Sequence, residues 1–144
     1  DNAKTVMVGV TDPDVIRLVN KTEEALAAGI AAIRPGARLG DVSHAVEKVA
    51  TAAHLGVVRE FVGHGCGAAM HEDPPVPNYG IAGRGPLLKE GMVICIEPMF
   101  NLGVRHVKTL NDGWTVVTRD KKPAAHFEHM VAVTATGAEI LTPR

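Results

Sequence analysis

Apolar residues recur at helical spacing along the first third of the chain, at Val15, Leu18, Val19, Leu26, Ile30 and Ile33. A stripe of that period predicts one long amphipathic helix. Asp12 offers an N-cap, Pro13 a first-turn residue and Asp14 a charge suited to the positive end of the helix dipole, while Pro35-Gly36 stops the run. A second stripe, Val42, Ala45, Val46, Val49, Ala50 and Ala53, is read with Asp41 as its cap and Gly56 as its end. Flanking these helices, Thr5 to Val10 and Val57 to Phe61 read as strands.

Beyond residue 61 the pattern turns from helical to β. Strands are predicted near Met92–Ile96, His106–Leu110, Thr115–Thr118, Phe127–Val133 and Glu139–Leu141, with Asn111-Asp112-Gly113 as a hairpin turn. His71 to Pro86 carries Pro74, Pro75, Pro77 and Pro86, so it is expected to be ordered by turns and packing rather than by a strand ladder. Two helices followed by mostly hairpin-linked strands predict an α+β fold, the helices on one face of an antiparallel sheet. No internal repeat or linker breaks the 144 residues, which read as one domain or part of one. Asp1 opens the chain without an initiator Met and leads straight into a strand pattern, as in a fragment of a longer protein.

Composition narrows the function classes. Fifteen basic and 16 acidic residues give a net charge of -1 with no block of one sign, which argues against an electrostatic grip on nucleic acid or an anionic membrane. No apolar run approaches the ~18 residues of a membrane helix and no signal peptide opens the chain, so a cytoplasmic location is the expectation. The two cysteines, Cys66 and Cys95, lack the Cys-x-x-Cys spacing of a thiolate zinc site and read as reduced thiols. Cys95 suits the core. Cys66, two residues from His64, is open to oxidation or metal capture.

The candidate chemistry lies in three segments. Gly63-His64-Gly65-Cys66-Gly67-Ala68-Ala69-Met70-His71-Glu72-Asp73-Pro74 carries two imidazoles on what reads as a glycine-rich turn. Glu97 stands in Val93-Ile94-Cys95-Ile96-Glu97-Pro98-Met99, and Glu128 in His126-Phe127-Glu128-His129-Met130-Val131, where alternation puts His126 on the same strand face. Taken singly, these are equally a turn histidine, a solvated edge carboxylate and half of a surface ion pair. Taken together, carboxylates inside apolar strands call for something cationic, and a metal ion is the obvious candidate.

These segments, GHGCGAAMHEDP, IEPM and AHFEHMVAV, together with the hairpin NDGWTVVTRD, resemble the catalytic half of the type I methionine aminopeptidases, the pita-bread metallopeptidases. The opening DNAKTVMVG resembles the strand that begins at a bridging metal aspartate in that family, so the resemblance runs over essentially the whole chain. It implies an incomplete pita-bread fold, two helices on a curved, mainly antiparallel sheet that lacks its N-terminal half. It implies a metal-dependent hydrolase that removes the N-terminal methionine from peptides and nascent proteins, with two divalent ions drawn from Mn, Fe, Co or Zn. Carried over position by position, Asp1 would be a bridging ligand, His64 the imidazole ligand, Glu97 a ligand and proton carrier, and Glu128 the second bridging carboxylate. His71 would touch the substrate carbonyl without binding metal, Trp114 would line the methionine pocket, and Met70 stands where the family carries a bulky aromatic on that pocket.

The family's first metal aspartate and a further substrate-contacting histidine lie upstream of Asp1. The isolated chain is therefore expected to be inactive and to hold at most one metal firmly, and the complete protein is expected to be active and monomeric, with the ribosome as a candidate partner. Two other readings share the ligands: a prolidase-like pita-bread peptidase, against which the NDGWTVVTRD hairpin weighs, and a non-catalytic pita-bread binding module, against which the intact ligands weigh.

Overall fold

The computed structural model describes residues 1–143. The first amphipathic stripe becomes α1 (Pro13–Ala31), opened by Asp12, whose carboxylate accepts from the Asp14 N–H at 2.9 Å. Its buried face, Leu18, Val19, Thr22, Ala25, Leu26 and Gly29, follows the helical period. The second stripe becomes α2 (Leu39–Ala52), which begins two residues earlier than its expected cap. Arg38 is the cap residue. Asp41 instead occupies the third helical position and accepts from the Arg38 N–H at 2.8 Å, the returning half of a capping box. The two helices pack closely because Gly29 adds no bulk; a Cβ there would stand 2.9 Å from Val46 Cγ2 and 3.2 Å from Ile96 Cγ2.

The β elements in chain order are β1 (Asn2–Ala3), β2 (Gly56–Val57), β3 (Gly63–Gly65), β4 (Glu72–Val76), β5 (Val93–Ile96), β6 (Met99–Asn101), β7 (Val107–Thr109), β8 (Val116–Thr118), β9 (Ala124–His126), β10 (Glu128–Val133) and β11 (Ala138–Ile140). The main sheet runs β1-β10-β5-β3-β4, with β11 sharing an edge of β10; β2-β6-β9 and β7-β8 form two smaller sheets. Every pairing is antiparallel. Helix α1 lies across β5, β6, β9 and β10, and one core of Leu18, Val42, Val46, Ile94, Ile96, Phe100, Phe127 and Val131 joins helices to strands. This is the expected α+β arrangement.

Several expectations fail locally, each for a physical reason. Residues Thr5 to Val10 form no strand: Val6 and Val8 are exposed, Gly9 takes a positive φ, and the Thr5 hydroxyl, not a backbone ladder, bonds His126. The strand expected through Phe61 is cut short at Val57, and only the Val58 N–H, bonded to the Met99 carbonyl at 3.1 Å, prolongs the contact with β6. Conversely, Gly63–Gly65 is a central strand, not a turn, and its glycines serve closeness. A Cβ on Gly63 would collide with the Cys95 carbonyl of β5, and one on Gly65 with the Asp73 carbonyl of β4. The proline-rich stretch expected to avoid a ladder supplies β4, an outer strand in which Pro74 and Pro75 sit next to each other.

The most consequential feature is a continuous register. Ile96 faces His129 in the β5–β10 pair, and Met99 faces His126 in the β6–β9 pair, so both pairs belong to one long ladder. Between them Pro98, which has no N–H, and the buried Phe127 carry the ladder from one sheet to the other. The carried-through register sets Glu97 opposite Glu128 at that bend.

Candidate metal centre

Three neighbouring strands bring the expected residues onto one face. His64 is the middle residue of β3, Glu97 follows the last residue of β5, and Glu128 opens β10. Ligand atoms of His64, Glu97 and Glu128 lie within 4.8 Å of one another. Asp1 joins through a different grouping, with His64 and His71, whose ligand atoms also lie within 4.8 Å of one another. The four ligands expected for one centre thus fall into two overlapping groups that share His64.

The His64 ring is buried and its orientation is fixed. Its Nδ1 lies 3.0 Å from the Gly65 carbonyl oxygen and its Nε2 3.7 Å from Glu97 Oε1. The other Glu97 oxygen lies 3.5 Å from Nε2 of His126. Asn78, itself buried, donates from Nδ2 to the Glu97 backbone carbonyl at 2.9 Å and fixes the strand end. Glu128 is buried, and burial, then the nearby Glu97 charge, push its carboxyl above the ordinary range. Like charges as direct cross-strand partners are destabilising. A divalent cation between them reverses that sign, so this hard, carboxylate-rich set with one imidazole fits a divalent metal.

On the other side of His64 the same face carries sulfur. Cys66 Sγ is 3.7 Å from His64 Nδ1 and 3.6 Å from Cys95 Sγ, and it donates to the Met70 carbonyl oxygen at 2.9 Å. Burial pushes the Cys95 thiol well above its usual range. The loop after β3 folds back on itself, Gly67 N–H bonding Ala69 O at 3.1 Å and Ala69 N–H bonding Glu72 Oε1 at 2.7 Å. That loop presents the His71 ring 4.2 Å from the His64 ring.

A cleft of about 740 Å³ opens beside Glu97, lined among others by Phe61, Met99, Val107, Trp114 and His126. Trp114, expected on a pocket wall, is on that lining at the tip of the β7–β8 hairpin. Met70 and His71 are outside the lining, and Met70 is largely exposed. In the sequence, His126 stands out only as a strand neighbour of Glu128. The ladder instead splits the two between β9 and β10, and both still reach Glu97 because the split is at the bend. The signal that could have found it is its position two residues before Glu128, on the far side of the bulky Phe127.

Comparison with known proteins places this geometry in context. Residues 1–135 match the model of metallopeptidase family M24. The chain is 51% identical over 142 residues to methionine aminopeptidase 1 of Bacillus subtilis (strain 168), covering 99% of this chain and 57% of that protein. It superposes on the crystal structure of methionine aminopeptidase from Thermotoga maritima with a TM-score of 0.96 at 47% identity, over 99% of this chain and 57% of that one. A prolidase from Pyrococcus furiosus shares the fold at a TM-score of 0.72 and 24% identity, over 98% of this chain and 36% of that one. The chain therefore spans a little over half the length of the methionine aminopeptidases it matches.

Proposed function

We propose that this chain, which belongs to metallopeptidase family M24, forms the metal- and substrate-binding part of a methionyl aminopeptidase, a metalloexopeptidase that frees the N-terminal methionine of peptides and nascent proteins. The observation that carries the reading is the pairing of Glu97 with Glu128 at the sheet bend, with His64 beside them and an apolar cleft in front.

His64, Glu97 and Glu128 would hold a divalent ion, and Asp1 would extend the set toward a second, drawn from Mn, Fe, Co or Zn. Bound there, such ions would acidify a water and polarise the scissile carbonyl. The protein's own groups do the rest. Glu97, flanked by the Nε2 atoms of His64 and His126, is placed to take a proton and pass it to the leaving amine. His71, whose ring lies 4.2 Å from that of His64, would contact the substrate's polar backbone. Phe61, Met99, Val107 and Trp114 give the cleft walls that accept an unbranched thioether side chain. Such a substrate is made at the ribosome, which puts the work in the cytoplasm.

The test uses the full-length protein with Mn(II) or Co(II) and two substrates, a Met-Ala-Ser peptide and an Xaa-Pro dipeptide. Hydrolysis of the first and not the second is expected, and Glu97→Gln should lower turnover about 10²–10⁴-fold while leaving the folded structure intact. Cleavage of the Xaa-Pro dipeptide in preference would instead identify a prolidase, and a fully active Gln variant would remove Glu97 from the chemistry.

A further inference from the structure

The two ends of the His64 ring face different chemistries. Gly65 pairs with Ile94, so the antiparallel register sets His64 across from Cys95. Period-two alternation puts Cys66 on the same face as His64, and Glu97 on the same face as Cys95. Glu97 thus stands on the Nε2 side and Cys66 on the Nδ1 side, while Cys95 touches both neighbourhoods, 3.6 Å from Cys66 Sγ and hydrogen-bonded to Glu128. The family's ligand set uses only the Nε2 side.

We propose that His64, Cys66 and Cys95 form a second, thiolate-rich site for a soft or borderline cation such as Zn(II), Cd(II) or Cu(I), and that filling it takes His64 away from the carboxylate centre. Ligand atoms of the three lie within 4.8 Å of one another. The spacings suit shared coordination: two sulfurs held ~2.3 Å from a tetrahedral ion stand about 3.8 Å apart, against 3.6 Å here, and a sulfur and an imidazole nitrogen about 3.5 Å, against 3.7 Å. Oxidation to a disulfide would demand a far larger closure, to ~2.05 Å. Thiolates select such cations over Mn(II) or Mg(II). On binding, the ion displaces one proton from each thiol to solvent, forming two metal–sulfur bonds with no change of oxidation state.

The antagonism follows from proton counting on one ring. A neutral imidazole has one lone pair. To serve a metal on the carboxylate side that pair must be at Nε2, with the N–H on Nδ1 facing the Gly65 carbonyl. Ligation at Nδ1 moves the hydrogen to Nε2 and turns a donor atom against the metal position beside Glu97. Binding by the thiols stands independently of the proposed aminopeptidase activity, whereas the inhibition rests on it.

The experiment adds Cd(II) to the full-length, Mn(II)-loaded protein in a non-thiol reductant and follows three readouts: sulfur-to-cadmium charge-transfer absorption, protection of Cys66 and Cys95 from alkylation by peptide mass spectrometry, and Met-peptide turnover. One equivalent of Cd(II) is expected to raise the absorption, protect both cysteines and cut turnover at least tenfold. Cys66→Ser, at the partly exposed position, and Cys95→Ala should each abolish the absorption and weaken Cd(II) binding at least tenfold. Inhibition without the charge-transfer band, a band that survives Cys66→Ser, or a disulfide between the two cysteines would overturn the site. A full band with unimpaired turnover in a protein that does cleave the Met peptide would overturn the sharing of His64.

Discussion

Two walls face each other across the cleft, and they are built on different terms. One is the bend of the long β5–β6 and β9–β10 ladder, covered by α1 and bearing Glu97, Met99 and His126. The other is the β7–β8 hairpin, which pairs with no other strand among the described residues and carries Trp114 at 88% exposure. Buried strands locked in register can hold donor atoms to a few tenths of an ångström, which metal and proton chemistry require. A hairpin held by its own turn tolerates change and suits the reading of side-chain shape. On the proposed function, chemistry and selectivity would thereby be divided between a wall built into the main ladder and one that stands apart from it.

The division is tested most severely at Gly63. Gly63→Val would drive a side chain into the Cys95 carbonyl and Val76 of β4, and a loss of about 3 kcal/mol in denaturant unfolding is expected, with weaker metal binding. A stability equal to that of the parent would mean that β3 is not tightly packed between β4 and β5. Trp114→Ala probes the opposite wall. Unfolding should move by less than ~0.5 kcal/mol, while KM for a Met peptide rises about tenfold, equivalent to ~1.4 kcal/mol. A large stability loss there would erase the distinction between the walls.

The smallest effect concerns pH. Asp112 accepts from the Thr115 hydroxyl at 2.6 Å and from the Trp114 and Thr115 N–H groups at 3.0 and 2.9 Å, and these bonds, the hydroxyl first, hold its carboxyl below the ordinary aspartate value of 3.8. A depressed folded pKa means that its contribution is present above 3.8 and fades as pH falls through the lower folded value. Trp114 is the single tryptophan of the sequence, so its fluorescence reports the hairpin tip. A transition below pH 3.8 that Asp112→Asn removes is expected; the same transition in the variant would assign it elsewhere.

Much of this architecture was legible in the residues. Asp12-Pro13 and the apolar stripe placed α1, and Asn111-Asp112-Gly113 placed the β7–β8 turn, because caps and turns are written in a few adjacent positions. His64, Glu97 and Glu128 were legible as candidates because polar groups in apolar strands are costly and therefore conspicuous. Strand β3 was not, since its glycines carry the composition of a turn while serving the close approach of β4 and β5. Neither was the pairing of Glu97 with Glu128, or the part played by His126: cross-strand register depends on residues 31 positions apart, and three-residue strands show too few positions for alternation to reveal it.

The adjacent prolines of β4 have a consequence for how the molecule behaves in a crowd. This strand is the sheet's outer member, and the amides of consecutive residues point to opposite sides of a strand. With Pro74 and Pro75 neighbouring, one missing hydrogen faces outward, so the open margin offers a broken row of donors to any passing chain. The protein can thus leave a sheet margin uncovered next to the strand that carries His64 without inviting fibres to grow there.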